Sequence, residues 1–178
     1  MRSLQALHHP YYQIKTALMN KSVKPILDKI LSAKGKIIIV GIGNIMRRDD
    51  GLGPALINRI KDKVNTLCID AGTAPENYLG KIAKEKPDTI LLVDAMHMEE
   101  RPGTYDILKK PDILQGGFTT HNMSPVMIIE YLEKETKADI YMLGIQPQNI
   151  FFGDELSTRI NRTLEELERT IIQCMNRT

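Results

Sequence analysis

At 178 residues the chain has the length of a single domain and is long enough to bury a real core. Its 24 basic and 22 acidic residues leave a formal net charge of +2, a near-balance that gives no reason to expect nucleic acid or an anionic membrane as partner. Hydrophobic residues make up 42%, ordinary for a soluble globular protein, and no apolar run approaches the roughly 20 residues a membrane-spanning helix needs.

Residues 1–35 read as a helical N-terminal extension ahead of a core at 36–178. The beginning carries Arg2 and then His8-His9-Pro10-Tyr11-Tyr12, without the apolar stretch or small-residue cleavage site of a signal peptide. Pro25 suits a first helical turn, Ile26, Leu27, Ile30 and Leu31 recur on one face, and Gly35 suits the stop. Lys36-Ile37-Ile38-Ile39-Val40-Gly41 is a short β-branched run bounded by glycine, the pattern of a strand buried on both faces of a parallel sheet. Asp50-Gly51 opens a helix whose Leu56, Ile57, Ile60 and Val64 share a face.

The pattern predicts a second strand from Asn65 to Asp70 and a proline-started helix from Pro75 to Lys84. Cys68 falls in the apolar run of that second strand and reads as a small buried hydrophobe. The only other cysteine is Cys174; two isolated thiols make neither a disulfide framework nor a zinc site, which suits a reducing cytoplasm. Thr89 to Val93 is a third strand ending at Asp94, and Thr104 to Leu108, after Pro102-Gly103, is a weaker edge strand. A helix from Ser124-Pro125 to about Glu135, a strand from Ile140 to Ile145 and an amphipathic helix from Glu155 to Met175 complete the chain.

This alternation predicts an α/β fold, a three-layer αβα arrangement around a mainly parallel, twisted sheet of about five strands with an antiparallel edge. Right-handed crossovers put the first three strands in the order 2-1-3. The connections leaving strands 1 and 3 then diverge and open a crevice at the carboxyl edge of the sheet.

The loop at that crevice reads Gly41-Ile42-Gly43-Asn44-Ile45-Met46-Arg47-Arg48-Asp49-Asp50-Gly51-Leu52-Gly53. A dinucleotide fingerprint would need a third glycine where Met46 stands, and this turn is several residues too long. Asp49 and Asp50 have an ordinary explanation as acids favoured at a helix N-terminus. That does not account for Asp94, which leaves a buried strand at the same edge, where an acid is costly unless paired, hydrogen-bonded or bound to a cation. His121, in Thr119-Thr120-His121-Asn122-Met123, would add an imidazole to the two carboxylates, a donor set suited to a divalent transition metal with positions left open for substrate. His97 is close to Asp94 in sequence but falls on the exposed loop, and metal binding by His8 and His9 in the extension would be adventitious. No Gly-x-Ser-x-Gly elbow, His-Glu-x-x-His pair or activated cysteine is present. On residues alone the chain is a metal-reading α/β protein with hydrolysis one open option.

From Lys36 to the C-terminal helix the chain resembles the hydrogenase maturation endopeptidases. Gly41-Ile42-Gly43-Asn44 with Asp49-Asp50-Gly51-Leu52-Gly53 looks like the first motif of that family, Val93-Asp94-Ala95 looks like the second, and His121 stands where its third metal-site residue is expected. Ala74-Pro75-Glu76-Asn77, Thr119 to Met123 and Leu143-Gly144-Ile145-Gln146-Pro147 resemble the subgroup that processes the hydrogenase-3, or formate hydrogenlyase, type of large subunit.

The resemblance implies a cytoplasmic protease, aspartic-type or metal-assisted, that removes the C-terminal peptide of a nickel–iron hydrogenase large-subunit precursor. It implies that Asp50, Asp94 and His121 read nickel already inserted in that substrate, so that the protease need hold no metal of its own. Some members carry Glu where Asp50 stands, which would move the carboxylate by about 1.5 Å. A non-catalytic checkpoint that binds the nickel-loaded precursor would present the same site. A magnesium-dependent receiver-like domain would want a lysine after the strand Ile140 to Ile145, where Gln146-Pro147 stands. A monomer is expected, with no exposed heptad or long edge strand pointing elsewhere.

Overall fold

The computed structural model describes residues 23–116 and 124–176. Five strands form one sheet: β1 (Ile37–Ile42), β2 (Leu67–Gly72), β3 (Thr89–Ala95), β4 (Tyr105–Leu108) and β5 (Asp139–Ile145), in the spatial order β2-β1-β3-β5-β4. The pairs β1–β2, β1–β3 and β3–β5 are parallel, and β4 closes the edge antiparallel to β5. The mainly parallel αβα arrangement, the 2-1-3 order and the antiparallel edge are therefore as the sequence predicts. Helices are α1 (23–31), α2 (Leu52–Ile60), α3 (Glu76–Lys84), α4 (Lys110–Gly116), α5 (Pro125–Glu135) and α6 (Thr158–Met175).

Side-chain alternation along each strand divides the core in two. Ile37 and Ile39 of β1 and Leu91 and Val93 of β3 pack with Leu27, Leu56, Ile60, Leu164 and Leu167, so α1, α2 and α6 cover one face. Ile38, Val40, Ile90 and Leu92 pack with Leu79, Ile82, Ile128 and Leu132, so α3 and α5 cover the other. Burial on both faces is why β1 and β3 read as unbroken apolar runs.

Several boundaries differ from expectation. The second strand runs Leu67–Gly72, two residues later than predicted, because its register follows Ile38 opposite Leu67 on β1. Cys68 is half-buried on this strand, and that partial burial pushes its thiol up to about 11. Ile26 is exposed, and Val23 joins Leu27, Ile30 and Leu31 in the core instead. Val64 lies beyond the end of α2 but still packs against the core. The last helix begins at Thr158, where Ser157 accepts a capping bond from the Ile160 amide. The short α4 was not predicted. No helix of the described residues is long and apolar enough to cross a membrane.

Candidate active site

β1 and β3 are neighbours whose chain connections run in opposite directions, and their carboxyl ends meet under the first turn of α2. Glycine makes this contact possible. Gly43 has φ +141, and a Cβ there would fall 1.9 Å from the Asp50 carbonyl oxygen. A Cβ on Gly53 would lie 2.3 Å from the Ile42 carbonyl oxygen and 2.6 Å from that of Val93. The glycine-rich stretch thus lets a 3-10 turn, Arg48–Gly51, and the start of α2 rest directly on two strand ends. Its composition is explained by close backbone packing and requires no bound phosphate.

Asp50, in the 3-10 turn, is 1% exposed, and so is Asp94, in the penultimate position of β3. One Asp50 carboxylate oxygen, Oδ2, accepts a bond from the Asn44 amide at 3.2 Å, while Oδ1 is buried with no hydrogen-bond partner. Asp94 Oδ1 accepts a bond from the Ala95 amide at 2.8 Å. Burial pushes the Asp94 carboxyl well above the usual carboxylate range, and the nearby negative charge of Asp50 pushes it further; only the Ala95 amide works against the rise. Two acids are thus held out of water with one oxygen, Asp50 Oδ1, left unpartnered, an arrangement that disfavours two negative charges unless a cation or a proton joins them.

Asp49 behaves differently from its neighbour. It is fully buried, but its Oδ2 accepts bonds from the Gln148 and Asn149 amides, both at 2.9 Å, and its Oδ1 from the Ser157 amide at 2.7 Å. Neither Asp49 nor Asp50 caps α2, whose N-cap is Gly51 with no side-chain cap bond, so the helix-capping explanation for the acid pair does not hold. Asp49 instead ties the 148–157 loop to the turn that carries Asp50. A second brace comes from Gln146, whose Oε1 accepts a bond from the Met98 amide at 2.7 Å, fixing the segment that follows Asp94.

His97 is half-buried on that segment rather than exposed. His121, His8 and His9 lie outside the described residues. Among the described residues no group of three His, Cys, Asp or Glu side chains is placed to hold a metal ion; the carboxylates brought together are a pair. Asp70 is exposed and accepts the Gly72 amide at 3.0 Å, a local turn contact.

Residues 52–174 match the family model described as hydrogenase maturation protease. The chain belongs to the hydrogenase maturation protease family. It is 36% identical over 131 residues to the hydrogenase 3 maturation protease of Escherichia coli K12, covering 72% of this chain and 83% of that protein. A putative hydrogenase maturation protease of Methanocaldococcus jannaschii is 32% identical over 163 residues, covering 80% of this chain and 96% of the relative. The crystal structure of the NiFe hydrogenase maturation protease HycI from Thermococcus kodakarensis superposes with a TM-score of 0.78 at 33% identity, covering 85% of this chain and 99% of that one.

In this hydrogenase maturation protease the acid pair sits where the sequence predicted it. The braces, Asp49 and Gln146, were legible only as residue types in suggestive places. Their partners are backbone amides about 100 and 48 residues away in sequence, and no local pattern reports such bonds. A stronger signal was available at Phe151-Phe152, two of the chain's three phenylalanines side by side in a polar loop.

Proposed function

We propose that this protease removes a C-terminal peptide from the large-subunit precursor of a nickel–iron hydrogenase, and that Asp50 and Asp94, with His121, read nickel carried by that substrate. The observation that carries the reading is the buried pair at the carboxyl edge of β1 and β3, with Asp50 Oδ1 unpartnered. An orphaned carboxylate oxygen beside a second buried acid fits a divalent cation brought from outside, and carboxylate oxygen with imidazole nitrogen is a suitable donor set for a transition metal such as nickel.

Chain placement is compatible with His121 as the third member. Asp94 alternates onto the sheet face of Ile90 and Leu92, the face covered by α5, and His121 lies three residues before Ser124, the N-cap of α5.

In this reading the ion supplies Lewis acidity at the scissile carbonyl. Asp50 offers a free oxygen either to the ion or to the proton of an attacking water. Asp94, whose environment favours the protonated form, is poised to hold a proton until a cation displaces it. The Asp49 and Gln146 braces keep the two acids in position before substrate arrives. Cleavage then depends on metal insertion, because only the substrate's ion can replace the proton and leave both carboxylates free to act.

The test is a processing assay on the large-subunit precursor, prepared with and without nickel and read by intact mass. Loss of a short C-terminal peptide from the nickel-loaded form alone is expected. Equal cleavage of both forms would refute nickel reading, and binding without cleavage of either would refute the endopeptidase assignment.

A further inference from the structure

We propose that Ile45, Met46, Phe151 and Phe152 form the docking surface for the precursor, holding an extended peptide segment with large apolar side chains beside Asp50. This rests on the endopeptidase reading above and names the surface that delivers the substrate.

Among the described residues eight large apolar side chains are exposed, and four of them belong to these two loop segments. Phe151 and Phe152 are each 78% exposed, Ile45 61% and Met46 48%. The segments are one structural unit. The Gly153 amide donates to the Met46 carbonyl at 2.9 Å, the Arg48 amide donates to the Gly153 carbonyl at 2.7 Å, and the Asp49 amide donates to the Asn149 carbonyl at 3.0 Å. Asp49 adds its three carboxylate bonds to the same loop.

The unit is also continuous with the acid pair. A Cβ on Gly51 would lie 2.8 Å from the Ile45 Cα, so Ile45 rests on the residue next to Asp50. A peptide reaching Asp50 from this side therefore crosses the apolar loops.

The exposed area selects the occupant. Two phenylalanines, an isoleucine and a methionine at these exposures present on the order of 500 Å². A stable dimer buries roughly 800 Å² on each partner, so the patch is small for a second copy and of the size for transient capture of a peptide segment. Rigid bracing from Asp49 would keep such a segment in register with the acids, and binding energy gained on the loops would hold the substrate equally before and during the reaction, which is read in KM.

The experiment compares the wild type with the double variant Phe151→Ser/Phe152→Ser, and with Ile26→Ser as an exposed apolar control on α1. Affinity for nickel-loaded precursor is measured by calorimetry and processing by intact mass, with sedimentation to report oligomeric state. We expect both Kd and KM to rise at least tenfold in the double variant, the loss falling on KM more than on kcat, with an unchanged melting temperature and no effect in the control. Kd and KM within twofold of wild type would overturn the proposal. A wild-type dimer that the double variant abolishes would also overturn it, assigning the patch to a second copy. A wild type that binds loaded precursor without cutting it sinks the endopeptidase reading alone, since the Kd comparison still decides the docking surface.

Discussion

Removing the Asp49 carboxylate tests how the acid turn is held. In Asp49→Ala three amides, those of Gln148, Asn149 and Ser157, lose their acceptor at once. Hydrogen bonds to a charged group each contribute about 1.5–3 kcal/mol. Gln148 lies at the surface, where water replaces part of the loss, so the expected cost is about 3–5 kcal/mol, not the full sum. That is a large share of the ~5–15 kcal/mol that keeps a domain folded.

Asp49→Asn is the sharper perturbation. Its single carbonyl oxygen can serve the Gln148 and Asn149 amides or the Ser157 amide, while its NH2 group then faces a donor. The expected cost is about 2–3 kcal/mol, a fall in melting temperature of roughly 5–10 °C for a chain of this length. Urea unfolding followed by circular dichroism, with an unchanged m-value, measures the cost. Amide exchange should accelerate at 148, 149 and 157 before it does in β1 or β3. A stability loss below about 0.5 kcal/mol in Asp49→Asn, with slow exchange at those amides, would refute the bracing role.

Three further outcomes follow from the same geometry. Asp94→Asn should abolish processing yet stabilise the fold at neutral pH, by a few °C if it gains about 1 kcal/mol. A carboxyl whose folded pKa is raised binds more protons folded than unfolded, so wild-type stability falls as pH climbs from the ordinary carboxylate range toward the folded value; the gain should therefore vanish near pH ~3, below both values, and melting curves across pH check it. Gly43→Ala should cost about 3 kcal/mol or more and remove activity, because a Cβ 1.9 Å from the Asp50 carbonyl at φ +141 forces the acid turn off β1; a normally processed precursor would contradict this. Gln146→Leu should cost about 1–3 kcal/mol by leaving the Met98 amide unsatisfied, with faster amide exchange at residue 98 as its signature.

The strand runs, the βα alternation and the two acids at one sheet edge were all set by local pattern. Ile37–Val40 and Thr89–Val93 read as strands because burial on both faces makes them continuously apolar. Asp94 stood out because a charge ending such a run needs a compensating partner.

Tertiary structure decided what each acid does. Asp49 and Asp50 are adjacent and chemically identical, yet one is saturated by three amides of a distant loop and the other keeps a bare oxygen. Nothing local distinguishes them, because the discriminating donors arrive from about 100 residues away. The sequence excludes a dinucleotide fingerprint for the glycines, but only the approach of the Asp50 and Ile42 carbonyls shows what they are for, which is close backbone packing. The second strand's boundary was set by its pairing partner. Periodicity reports what a segment buries, whereas the environment of a single carboxylate depends on which distant backbone folds against it.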